Sequence, residues 1–154
     1  MTTHTYGAAV HWASDSENGT KTYTSYSRDH TIGADGKPDI PASSDPAFRG
    51  SASRYNPEEL LVASLSSCHM LWYLHLCAAN GITVIDYSDR ASGEMEETGG
   101  AGQFVNVDLR PVVTIVENAR RARALQLHHD AHQMCFIARS VNFPVNVRPT
   151  IATR

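Results

Sequence analysis

The feature that most limits how this 154-residue chain can fold is an uncharged stretch of twenty residues, 60–79, reading LLVASLSSCHMLWYLHLCAA. A helix that is apolar on most sides is stable only when something covers it, whether lipid or protein. The start of this one is well marked. Asn56 is a good N-cap, Pro57 suits the first helical position, and Glu58 and Glu59 fall in the first turn, where the helix dipole favours anions. Glu59 stands three residues after Asn56, the spacing of a capping box, and Gly81 supplies a stop. The pattern predicts a rod of roughly 36 Å at 1.5 Å per residue.

Lipid is the poorer cover. Ser64, Ser66, Ser67, His69 and His75 interrupt the run, and no Lys or Arg cluster flanks it to set a topology. The remaining sequence supplies amphipathic strands that need an element to close over them. The helix is therefore read as the interior rod of a globular protein with no membrane partner. Burial on nearly every side asks for more covering surface than one such chain provides, which points to a homodimer.

Residues 4–13 and 21–27 are short, rich in aromatics and Thr, and separated by SDSENGT, which predicts a hairpin closed at Asn18-Gly19. Residues 30–32 add a third short strand, ADGKPD turns the chain, and the Pro-, Ser- and Gly-rich residues 41–55 form a loop carrying Arg49 and Arg54. Beyond the helix, residues 82–87, 91–97 and 103–116 read as strands, with Pro111 marking a bend or an edge. Residues 118–133 read as a second helix, followed by a short helical piece at 135–141 and a last strand at 144–151. The expected fold is α+β, a single domain over 1–154, with a mostly antiparallel sheet packed on the long helix.

A formal net charge of −3 offers no general attraction to phosphate backbones, so nucleic acid is not an expected partner. No basic segment followed by an apolar one opens the sequence, and the cytoplasm is the expected compartment. The three cysteines, Cys68, Cys77 and Cys135, form an odd set without a CxxC, so a structural disulfide framework is not indicated. Buried free cysteines mostly behave as small hydrophobes, and Cys77, next to Leu74, Ala78 and Gly81, is read that way. A second constellation carries different chemistry. His128, His132 and Cys135 stand at i, i+4 and i+7 on one helical face, with His129 adjacent, a spacing that can bind Zn²⁺ or Cu²⁺. A metal there would occupy Cys135.

The stretch Asn56-Pro57-Glu58-Glu59-Leu60, running through small residues to Ser67-Cys68, resembles the signature of the OsmC/Ohr family of thiol peroxidases. Cys135 follows at the end of the second helical region, as that family's second cysteine does. The family typically places Pro after that cysteine, where this chain has Phe136. The resemblance implies an OsmC-like fold, an intertwined homodimer, and reduction of organic hydroperoxides without a cofactor or metal. It further implies Cys68 as the peroxidatic cysteine, Cys135 as the resolving one, Glu58 as the active-site carboxylate, and a loop arginine, Arg49 or Arg54, as its partner. The reductant it implies is a lipoyl-type dithiol. Met70, Leu71, Trp72 and Phe136 are candidate walls of a pocket for an alkyl hydroperoxide. Glu58 and Cys68 are ten residues apart, about 15 Å of rise along one helix, so the carboxylate and arginine are expected to serve the Cys68 of a partner subunit. A non-catalytic OsmC-like binding protein and the His/Cys metal protein are the alternatives.

Overall fold

Asn56 and Glu59 cap each other. In the computed structural model, which describes Met1–Arg154, the Glu59 amide donates to Asn56 Oδ1 at 2.8 Å and the Asn56 amide to Glu59 Oε2 at 3.2 Å. This reciprocal pair opens helix α1 (Pro57–Ala79). At the far end Gly81 takes φ of 65°, and the Ile82 amide reaches back to the Cys77 carbonyl at 3.0 Å, the long bond of a Schellman stop. Both helix boundaries are those the sequence predicts. The chain divides into two compact units, Met1–Leu60 and Leu61–Arg154.

The first unit holds a three-stranded antiparallel sheet, β1 (Ala9–His11), β2 (His30–Gly33) and β3 (Ile40–Ala42), in that order. The expected hairpin between residues 4–13 and 21–27 does not form: β1 pairs with β2, and 21–27 folds into turns. Arg28 explains the difference. Its guanidinium lies 3.8 Å from the Tyr26 ring centroid and 4.6 Å from that of Tyr23, and it donates to the carbonyls of both residues at 2.6 and 2.7 Å. Those backbone acceptors are thereby withdrawn from any ladder, and cation–π attraction holds the knot. The expected loop after residue 40 begins instead with β3, and the Ser43 amide bonds to the Tyr55 carbonyl at 2.8 Å.

The second unit contains β4 (Val84–Asp89), β5 (Ser92–Thr98), β6 (Ala101–Leu109), β7 (Pro111–Ile115), α2 (Arg121–Met134), β8 (Val145–Val147) and β9 (Thr150–Thr153). They form two sheets, β4-β7-β9 and β5-β6-β8. In each, the final strand joins in parallel and the other pairing is antiparallel. With the first unit's two pairings, antiparallel pairs predominate, as expected. The strand expected over 103–116 breaks in two at Arg110, whose amide donates to Asp89 Oδ1 at 2.7 Å rather than to a neighbouring strand. The strand expected over 144–151 breaks likewise before Pro149, which has no amide to donate.

Leu65, His69, Tyr73 and Cys77, spaced every four residues, are the buried positions of α1. Leu65 clusters with Val107, Leu109 and Val145, while Tyr73 and Cys77 cluster with Val113, Ile115, Ala124, Leu127, Ala131 and Ile151. By length and composition α1 could cross a membrane, at mean hydropathy 1.4, yet this stripe is packed on β6, β7 and α2. The helix is buried along one stripe rather than all round: Leu71 is 60% exposed. Burial pushes the Cys77 thiol up, and the Tyr73 side chain one turn earlier opposes this.

The stripe's polar member is bonded across the core. His69 Nε2 lies 3.0 Å from His128 Nδ1 of α2, and Tyr73 stacks on His128 with ring centroids 3.8 Å apart. Burial lowers the His69 pKa to about 4, helped by His132 and opposed by Asp89. Burial lowers that of His128 to about 3, helped by His69. Both imidazoles are neutral at pH 7, so they share one hydrogen bond without a charge.

Two predictions follow from this packing. Asn56→Ala should remove one side of the capping box and cost about 1 kcal/mol in urea unfolding. The unfolded chain binds protons on these histidines near pH 6.5 whereas the folded one does not until about pH 4, so stability should fall as pH drops through this window. The expected slope is up to about 1.4 kcal/mol per pH unit for each histidine, and a His69→Phe, His128→Phe double variant should lose most of it between pH 6 and 5.

Candidate thiol site

Cys68 occupies the middle of α1, and Cys135 terminates α2, where its amide bonds to the His132 carbonyl. The two sulfurs are neighbours, close enough for Cys68 to act on the titration of Cys135, and neither is in a disulfide. Their surroundings differ. Cys68 is half-buried, while Cys135 is 1% exposed. Burial pushes the Cys135 thiol up to about 11; the neighbouring Cys68 sulfur adds to this, and the Ala138 amide, donating to Sγ at 3.4 Å, opposes it. Cys135 is therefore a neutral thiol at pH 7, a poor nucleophile until something draws its proton away.

Local structure sets both sulfurs. Two residues before Cys68, Ser66 donates to Asp89 Oδ2 at 2.6 Å, so the same carboxylate that stops β6 at Arg110 also pins α1 to the end of β4. After Cys135 the chain turns tightly: the Arg139 amide bonds to the Cys135 carbonyl at 3.1 Å and Ser140 Oγ to the Phe136 carbonyl at 2.7 Å. This turn carries Ala138 onto the sulfur without the proline that the resembled motif uses. Phe136 packs edge-on against Trp72, centroids 5.4 Å apart, and remains 61% exposed. Leu71, Trp72 and His75 line a shallow cavity of about 230 Å³. Of the apolar residues singled out in the sequence, Leu71 and Trp72 thus form a surface hollow, with Phe136 against Trp72.

The remaining predicted residues lie in the first unit. Arg54 pairs with Asp29 at 3.2 Å and donates to the His30 carbonyl at 3.4 Å. Arg49 closes a short 3-10 turn over Pro46–Phe48 in the left-handed region at φ 67°, its guanidinium 6.0 Å from the Tyr23 ring, and it has no carboxylate partner. Glu58 sits half-buried in the first turn of α1 and pairs with neither arginine. The structure brings the two thiols together and leaves the carboxylate and the arginines apart from each other within one chain.

The metal reading fails on geometry. His128 turns inward to His69, and no group of three His, Cys, Asp or Glu side chains converges to hold an ion. His69 was not among the residues singled out from sequence. Its place in the Leu65-Tyr73-Cys77 stripe was the available signal, since a histidine at a core position needs a buried partner.

The description OsmC-like protein fits a family profile over residues 50–150. A solved OsmC-like protein of unknown function from Vibrio cholerae is 33% identical, with 96% of this chain and 100% of that one covered and a TM-score of 0.86. An organic hydroperoxide resistance protein from Elizabethkingia anophelis (18% identity, 99% of both chains, TM-score 0.70) shares the fold. So does one from Legionella pneumophila (19% identity, 99% of both chains, TM-score 0.67). No curated protein matches the chain. The α+β fold, the paired thiols of α1 and α2 and these relationships together place the chain in the OsmC-like family.

Proposed function

We propose that this protein is a thiol-dependent reductase of organic hydroperoxides, acting in the cytoplasm as a homodimer of one OsmC-like domain spanning residues 1–154. The observation that carries the reading is the proximity of a half-buried Cys68 to a buried, neutral Cys135. Such a pair assigns its own roles. The thiolate is the nucleophile in peroxide cleavage, and a thiol held protonated by burial does not compete for that role. Cys68 attacks the distal peroxide oxygen: its sulfur gains oxygen, the O–O bond breaks, and the alkoxide takes a proton to leave as an alcohol. The product is a sulfenic acid on Cys68. Cys135 then attacks that sulfur, an S–S bond forms, and the hydroxyl leaves as water with the Cys135 proton. An external dithiol, by resemblance of the lipoyl type, exchanges with the disulfide and restores both thiols.

The names of the Elizabethkingia and Legionella proteins support this substrate class. Peroxide cleavage also needs a positive group to stabilise the thiolate and the departing oxygen. Arg49 is the first choice, since Arg54 is engaged by Asp29. We assign the arginine, held by Glu58, to the Cys68 of the partner subunit. The uncovered apolar face around Leu71 and Phe136 is consistent with a second copy lying over this region. The hollow of Leu71, Trp72 and His75 would receive the alkyl group of the substrate.

Titration of free thiols after one equivalent of cumene hydroperoxide tests the reading. Two thiols should be lost per chain in the parent protein, none in Cys68→Ser, and one in Cys135→Ser, which should stop at the sulfenic acid. Unchanged thiols in the parent would indicate instead a binding protein without turnover. Mixed dimers of Cys68→Ser with Glu58→Ala chains should recover part of the activity that each variant lacks alone; no recovery would remove the shared site.

A further inference from the structure

Five buried side-chain polar atoms have no hydrogen-bond partner, and they share one neighbourhood. They are His69 Nδ1 and Tyr73 Oη on α1, His128 Nε2 and His132 Nδ1 on α2, and Tyr87 Oη on β4. The Tyr87 and Tyr73 rings lie 6.0 Å apart, Tyr73 stacks on His128, and His128 bonds to His69. An unpaired buried polar atom costs free energy, and apolar side chains of similar shape avoid that cost. A seam built from imidazoles in this way is poorly explained by stability alone.

What the seam does provide is register. The His69–His128 hydrogen bond joins α1 to α2, and next to it on α1 Cys68 has Cys135 as its neighbour. On α1 these residues are consecutive. On α2 they stand seven residues apart, two turns along one face, about 10.5 Å of rise. A bond at His128 therefore limits both the sliding and the rotation of α2 against α1, and Tyr73 closes on the same imidazole at 3.8 Å. Asp89, which pins α1 through Ser66, is the charged group that acts on His69 from β4, and His132 acts on it from α2.

We infer that His69 and His128 are positioning residues for closure of the Cys68–Cys135 disulfide, their hydrogen bond holding α2 in the register that lays the Cys135 thiol against the Cys68 sulfur. This rests on the hydroperoxide-reductase reading for its physiological setting. The step concerned is the second one: Cys135–SH and Cys68–SOH give the disulfide and water. Attack on the sulfenic sulfur demands close and aligned approach, and a displacement near 1 Å can slow such a step about a hundredfold. The first step involves Cys68, the peroxide and the arginine assigned to it, none of which lies on α2.

Single-turnover kinetics with one equivalent of cumene hydroperoxide separate the two steps, with sulfenic acid trapped by dimedone and the disulfide read as a loss of two mass units. His128→Leu should leave Cys68 oxidation within twofold of the parent and slow disulfide closure tenfold or more. His128→Asn, whose amide can stand in for Nδ1, should recover most of that loss, and Ile115→Val, a core change away from the pair, should not slow closure. His69→Leu serves as the second probe should His128→Leu not fold, and it should slow closure to a similar degree. Closure at the parental rate in folded His128→Leu or in His69→Leu overturns the inference. If hydroperoxide leaves Cys68 untouched in the parent, the reductase reading fails; the same variants are then closed with diamide, where an unchanged rate overturns the positioning role and a slowed one upholds it.

Discussion

A helix that carries no charge over twenty residues must be covered, and α1 is covered along a line four residues in period. Leu65, His69, Tyr73 and Cys77 each meet a different part of the second unit. Leu65 meets the β5-β6-β8 sheet, Tyr73 and Cys77 meet the β4-β7-β9 sheet and α2, and His69 meets α2 through a hydrogen bond. Because one straight element serves both sheets and the second helix, its rotation fixes all three. The thiol at position 68 stands next to the stripe rather than in it, which leaves it half-buried and reachable while its neighbour is sealed.

The two sulfurs illustrate how burial sets chemically identical groups apart. Cys135 is enclosed by the end of α2 and the turn that follows, and desolvation keeps it protonated despite the Ala138 amide at its sulfur. That turn forms with Phe136, not proline, after Cys135. Ser140 and Arg139 bend the chain back through hydrogen bonds to residues 136 and 135, so Phe136 is free to lie on Trp72.

Much of the architecture after residue 55 was legible because its signals are local. The Asn56-Pro57-Glu58-Glu59 cap and the Gly81 stop each concern a few adjacent residues, and they hold to the residue. The pairing of Cys68 with Cys135 was available only through family resemblance, since no rule of spacing joins residues on two helices. The first fifty-five residues were harder. Asn18-Gly19 does lie in a turn, with Gly19 at φ 46°, but whether a turn closes a hairpin depends on the segments it joins. Here Arg28 claims the carbonyls of Tyr23 and Tyr26, an interaction that propensity does not register. The long strands were split for similar reasons: Asp89 captures the Arg110 amide from twenty-one residues away. The His69–His128 bond escaped because His128 was read with its helical neighbours, whereas its partner stands fifty-nine positions earlier.

The order in which the sheets are closed bears on biogenesis. β8 and β9 enter as parallel partners of β6 and β7, at Val107 to Leu109 and at Val112 to Ile115 respectively. Both sheets thus wait for residues 145–153, and during synthesis the edges of β6 and β7 stand open with their apolar faces unshielded. Parallel joins across such long sequence intervals form slowly. Completion of both sheets therefore waits on the last two strands rather than on the well-capped helix.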